Sequence, residues 1–149
     1  GTIQSESYPI EIKKLYPHLS VTGEACPMWV PLVENGEANS PGADYFIEKH
    51  INNLLTADPE IDTIILGCTH YPLLINKIKT FLPSYISVVS QGEIVANSLG
   101  DYLTRHPEMD KNISKNGSVQ YYTTENPEKF SASATMFLNK QIAVERISF

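Results

Sequence analysis

The segment Ile61-Asp62-Thr63-Ile64-Ile65-Leu66-Gly67-Cys68-Thr69-His70-Tyr71-Pro72-Leu73-Leu74 constrains the fold of this chain more than any other. An apolar, β-branched run ends at Leu66, Gly67 permits a tight turn, and Pro72 suits the first turn of a helix. The pattern predicts a strand whose carboxyl end runs straight into the amino end of a helix. Units of this kind build α/β domains with parallel sheets, and ligands bind at that end of the strands. Cys68, Thr69 and His70 stand at the junction.

The rest of the chain repeats the alternation. Strands are predicted at His18 to Glu24, Asp62 to Leu66, Tyr85 to Ser90, Ser118 to Thr123 and Ile142 to Ile147. Phe46, Ile47, Ile51, Leu54 and Leu55 form a helical stripe after Ser40-Pro41-Gly42, and Leu74, Ile75, Ile78, Phe81 and Leu82 form another. Two more helices are expected, at Glu93 to Arg105 and at Pro127 to Leu138, the latter with Phe130, Met136, Phe137 and Leu138 and a capped start at Glu125-Asn126-Pro127. The expected class is α/β, a largely parallel sheet flanked by helices. The polar stretch His106 to Gly117 reads as a surface loop or linker and as the best internal boundary.

Composition narrows the functional classes. The 149 residues, 42% of them hydrophobic, suffice for one domain, or one domain and part of another. A formal charge of −6 argues against nucleic acid or an anionic membrane surface as a partner, since both require basic patches. An anionic small substrate is still allowed, provided that helix ends and hydroxyls hold it locally. No apolar run approaches the roughly 20 residues of a bilayer span, and the polar start has no signal-peptide core, so a cytoplasmic protein is expected. Cys26 and Cys68 are too few for a disulfide scaffold and read as reduced thiols.

Cys68 at a strand-to-helix turn is the candidate for chemistry. Unpaired amides and the positive end of a helix dipole favour thiolate over thiol, and a neighbouring imidazolium favours it further. The same helix end, with the Thr69 hydroxyl, could hold a substrate carboxylate. Against this, a lone cysteine after an apolar strand is usually a small buried hydrophobe. Acyl-transfer chemistry would need a base and an oxyanion hole that the sequence does not locate. Zinc is disfavoured, because Cys68 and His70 are too close along the chain and no second ligand pair completes a tetrahedron.

Gly67-Cys68-Thr69-His70-Tyr71-Pro72-Leu73-Leu74 resembles the signature around the second catalytic cysteine of bacterial glutamate racemases, members of the aspartate/glutamate racemase family. Upstream, Ala25-Cys26-Pro27-Met28-Trp29-Val30-Pro31-Leu32-Val33-Glu34 is similar to the family's other long motif. Gly1-Thr2-Ile3 with Ser5 and Tyr8, Gly92-Glu93-Ile94-Val95-Ala96, and Tyr122 to Phe130 also fit. His70 separates the chain from aspartate racemases, which typically carry an acidic residue at that place.

The resemblance implies interconversion of L- and D-glutamate without cofactor or metal, for peptidoglycan synthesis. In that family two thiols on opposite faces of the α-carbon remove and return a proton. It assigns catalytic roles to Cys68, His70 and Glu34 and substrate contacts to Thr69 and Thr2. For Glu34, a solvated surface charge beside Asn35-Gly36 is the competing interpretation.

The family's first catalytic cysteine, in a Cys-Asn-Thr-like motif, has no counterpart here. Cys26 matches a non-catalytic cysteine and is expected to pack in the core, and Ser90-Gln91 replaces the family's Asp-Ser. The expectation is therefore a C-terminal portion of the enzyme, inactive alone. Residues 1–92 would be the second α/β domain, and residues 93–149 a helix-loop-strand-helix segment completing the first. The expected partners are glutamate and the missing N-terminal part, with a homodimer as a candidate assembly. A non-catalytic ligand-binding or interaction domain, or a racemase of another amino acid, are the alternatives. His18, His50 and His106 match no catalytic position and are expected on the surface or in loops. The Asn112-Ile113-Ser114 sequon is irrelevant in a cytosol.

Overall fold

The computed structural model describes residues 1–148, with only the backbone of Met136. The sequence expectation for the Met136 side chain lies outside the described residues. The chain forms two compact units, Gly1–Ser90 and Gln91–Phe149.

In the first unit, helices α1 (Ser7–Leu15), α2 (Trp29–Glu34) and α3 (Pro41–Ala57) precede strand β1 (Thr63–Ile65). A 3-10 turn (Tyr71–Leu74) and helix α4 (Ile75–Thr80) then lead to strand β2 (Ser87–Val89). β1 and β2 are parallel, with Thr63, Ile64 and Ile65 opposite Ser87, Val88 and Val89. The Leu66 amide donates to the Val89 carbonyl at 3.0 Å and the Ser87 amide to that of Asp62 at 2.8 Å, which extends the pairing beyond the strands. This is the expected strand-turn-helix-strand unit.

α3 forms where its apolar period and cap predict. Ser40 Oγ accepts from the Ala43 amide at 3.2 Å, and Pro41 occupies the first turn. Its buried face, Ala43, Ile47, His50 and Ile51, packs with Trp29 and Val33 of α2 and with Leu66, Leu74, Ile78 and Ile86 in one core. Lys77 Nζ fastens α4 to the start of α3 through Asp44 Oδ1 at 2.6 Å and the Ser40 carbonyl at 3.4 Å.

Three expectations fail in this unit. His18 to Glu24 is not a strand: the Leu19 amide donates to the Tyr16 carbonyl at 3.2 Å in a turn, and the Ser20 and Thr22 hydroxyls donate to Asp58 Oδ2 at 3.4 and 3.2 Å. The helix expected from Pro72 is split into a 3-10 turn and a six-residue α-helix, so the dipole aimed at Cys68 is weaker than a long helix would supply. His50 is not a surface residue, being only 9% exposed.

The second unit holds α5 (Gln91–Arg105), α6 (Pro107–Asp110), β3 (Tyr121–Thr123), α7 (Pro127–Leu138) and β4 (Val144–Arg146). β3 and β4 are parallel, Tyr121 opposite Val144 and Thr123 opposite Arg146. Asn126 caps α7, its Oδ1 accepting from the amides of Glu128 and Lys129 at 2.8 and 3.1 Å. The His106 to Gly117 stretch is not a structureless linker: it contains α6 and lies inside this unit. On α5, Ile94, Val95 and Leu99 are each more than half exposed.

Candidate active site

Three elements of the first unit meet around the loop that follows β1. Gly67 begins it, and a Cβ here would come within 3.3 Å of the Tyr8 ring, so α1 rests directly on the turn. The Tyr71 amide donates to the Cys68 carbonyl at 3.2 Å and the Leu73 amide to the His70 carbonyl at 3.1 Å, winding residues 68–74 tightly. The third element is α2, whose last residue is Glu34. Gly36, at φ 73°, lets the chain turn away just after it, a conformation that side chains with a Cβ resist.

Cys68 Sγ lies 3.9 Å from His70 Nδ1, and His70 Nε2 lies 3.2 Å from Glu34 Oε1. A thiol, an imidazole and a carboxylate thus stand in line, with the ring nitrogens addressing the two ends. Cys68 is part-exposed. The Thr69 hydroxyl is within 3.5 Å of His70 Nδ1 and faces solvent. Glu34 is 55% exposed and has Oε1 against the imidazole.

Thr2 stands apart from this line in the described contacts. Its carbonyl accepts from Ser5 Oγ at 3.0 Å in an exposed N-terminal turn. Cys26 is buried, and burial first, then the negative charge of Glu24, pushes its thiol up to about 12. Such a thiol stays protonated at neutral pH and packs as a hydrophobe. Among the described residues, no group of three or more His, Cys, Asp or Glu side chains is placed to hold a metal ion. The hollow lined by Gly100, Leu103, Thr104, Pro107 and Asp110 contains none of the candidate residues.

Behind the line lies a cluster that sequence reasoning missed. His50 Nδ1 is 2.7 Å from Glu24 Oε1, and Asn53 Nδ2 donates to the same oxygen at 3.0 Å. Burial raises the Glu24 carboxyl, but these hydrogen bonds and the charges of His50 and Lys49 outweigh it and hold the group below its usual range. Trp29 sits edge-on to both His50 and Tyr71, at 6.2 and 4.9 Å between ring centres. Helical spacing was the available signal. His50 lies three residues after Ile47 and seven after Ala43, on the buried face of α3.

No protein-family model matches the chain. A glutamate racemase of Caldanaerobacter subterraneus subsp. tengcongensis is 36% identical over 143 residues, which are 95% of this chain and 52% of that protein. The solved glutamate racemase isoform of Bacillus anthracis superposes with a TM-score of 0.84 at 30% identity, covering 99% of this chain and 54% of that one. The chain matches the C-terminal half of glutamate racemases. A glutamate racemase from Francisella tularensis, solved in complex with D-glutamate, agrees with a TM-score of 0.82 at 27% identity over 99% of this chain. The α/β racemase fold is therefore established, and the chain spans about half the length of the curated glutamate racemases it matches. No helix among the described residues is long and apolar enough to cross a membrane.

Proposed function

We propose that this chain supplies one face of a glutamate racemase active site that needs neither cofactor nor metal. The observation that carries this reading is the line from Cys68 Sγ through the His70 ring to Glu34, in a chain that matches half of a glutamate racemase. A carboxylate on one ring nitrogen fixes the imidazole's orientation and lets its other nitrogen exchange a proton with the thiol.

Racemisation requires a base on one face of the α-carbon and an acid on the other. With Cys68 as thiolate, its sulfur takes the α-proton of L-glutamate and the C–H electron pair remains on carbon. A thiol on the opposite face, contributed by the other half of the enzyme, then gives its proton to that carbon and is left as thiolate. The product is D-glutamate, and the reverse run uses Cys68 as the acid. Positioned proton transfer of this kind contributes roughly 10² to 10⁴ in rate. Thr69 and Thr2 act as donors to the substrate carboxylates, which in an acidic chain must be held by local hydrogen bonds and not by the overall field.

The D-glutamate would serve peptidoglycan synthesis in a bacterial cytoplasm, a compartment that the two free thiols suit. Residues 1–92 are the thiol-bearing domain. Residues 93–149 would complete the first domain of the whole enzyme, and the exposed Ile94, Val95 and Leu99 on α5 support that role. Light scattering distinguishes a monomer from the candidate homodimer.

The test joins the chain to the N-terminal half of its parent enzyme and follows both optical activity and deuterium uptake at the glutamate α-carbon. The joined enzyme should racemise, Cys68→Ser should abolish turnover, and the 149-residue chain alone should not racemise. Appreciable racemisation by the chain alone overturns the two-thiol scheme. Glutamate binding without turnover in the joined enzyme would make this a ligand-binding domain, and turnover of a different amino acid would reassign the substrate.

A further inference from the structure

We propose that Tyr71 is a positioning residue that holds the His70 imidazole in register with Glu34 and Cys68. The proposal deepens the racemase reading and rests on it for its functional meaning. His70 and Tyr71 are neighbours in the chain, and their side chains grip opposite ends of the Cys26–Glu34 segment. The Tyr71 hydroxyl donates to the Cys26 carbonyl at 3.2 Å, just before α2, while His70 meets Glu34 at its end.

The grip at the start of α2 is backed by the core. The Tyr71 ring lies against Trp29 at 4.9 Å, edge to face, and Trp29 is only 5% exposed. The Trp29 indole in turn donates to the Phe46 carbonyl of α3 at 3.3 Å, so Tyr71 is anchored through Trp29 to the core helix. Burial, followed by the neighbouring Cys26 and Cys68 sulfurs, pushes the Tyr71 phenol up to about 12, which keeps it a donor at neutral pH.

His70, by contrast, leans on a half-exposed carboxylate, and contacts between exposed charges are weak by themselves. If the loop could slide along α2, the ring would lose one partner or the other. Tyr71 removes that freedom one residue away. A group that merely stabilised the unit would affect the sulfur equally whether or not Glu34 were present. A positioning group acts on the sulfur only through the pair that it aligns.

The experiment measures the rate of Cys68 alkylation by iodoacetamide against pH in the 149-residue chain, for wild type, Tyr71→Phe, Glu34→Gln and the double variant. Melting curves establish that each is folded. Tyr71→Phe should slow alkylation at pH 7 by on the order of 2- to 10-fold, the scale of one hydrogen bond, and move the profile to higher pH. In the Glu34→Gln background it should have no further effect. Trp29→Phe keeps the hydroxyl but weakens the ring's anchor, so it should show the same dependence on Glu34 and decides the matter if Tyr71→Phe folds poorly. An effect of equal size in both backgrounds, or no effect from either variant, overturns the proposal. Absence of racemisation in the joined enzyme would refute the racemase reading while leaving this alkylation result standing.

Discussion

His50 Nδ1 and Glu24 Oε1 are 2.7 Å apart, joining α3 to the extended segment before α2 inside the first unit. Because the folded carboxyl lies below its usual value of 4.5, the stability that it contributes is fully present above that pH and is lost as pH falls through the lower, folded value. Thermal melting followed by circular dichroism should show this acid-side loss. Glu24→Gln should cost on the order of 1 to 3 kcal/mol at neutral pH and flatten the acid limb. An unchanged limb would mean that other carboxylates dominate it.

Cys26 predicts an effect at the opposite end of the scale. Its thiol is raised from 9.0 to about 12 by burial, so the stabilisation it reports is complete below pH 9 and is lost as pH rises towards 12. Tyr71 is raised from 10.0 to about 12 and acts in the same direction. Urea unfolding midpoints should therefore fall across this window, less steeply in Cys26→Ala after allowance for its own cavity. In the native chain at pH 8, a thiol reagent should modify Cys68 well before Cys26, and both should react once guanidinium unfolds the chain.

Glu34→Gln tests the carboxylate end of the line. Its side chain is 55% exposed, so the fold should tolerate the change, with a melting shift within a degree or two. In the joined enzyme, the pH dependence of α-proton exchange from L-glutamate should move if Glu34 governs His70. An unaltered profile would return Glu34 to the role of a solvated charge.

Ile47 is fully buried among the helices of the first unit. Ile47→Ala should cost about 2 to 5 kcal/mol in denaturant unfolding, and Ile47→Val about 0.5 to 1.5. A cost below 0.5 kcal/mol for the alanine variant would show that the cavity collapses freely.

The parts of this architecture legible in the sequence are those with strong local signals. Ser40-Pro41 announced α3, and the Asp62 to Leu66 run announced β1, because a cap and a β-branched run act within a few residues. His18 to Glu24 carries valine and threonine like a strand. Its Ser20 and Thr22 hydroxyls bond to Asp58 instead, and pairing in a sheet depends on distant partners that composition does not reveal. α1 and α2 escaped notice for another reason. α2 is six residues long and contains Pro31, too short for an apolar period to declare itself. At the candidate site, the residue types of Cys68, His70 and Glu34 were recognisable, but the long-range contact across residues 34 and 70 exists only after folding.

The double grip on α2 has a consequence for how such a chain can vary. Six helical residues rise about 9 Å, and two consecutive side chains bracket that helix together with the turn before it, at Cys26 and Glu34, like the jaws of a caliper. Substitutions along the outer face of α2 leave the caliper reading unchanged. Inserting or deleting a single residue there would rotate Glu34 by about 100° around the helix axis and carry it away from the imidazole. The residue count of this short helix is therefore held more tightly than the identity of most of its side chains.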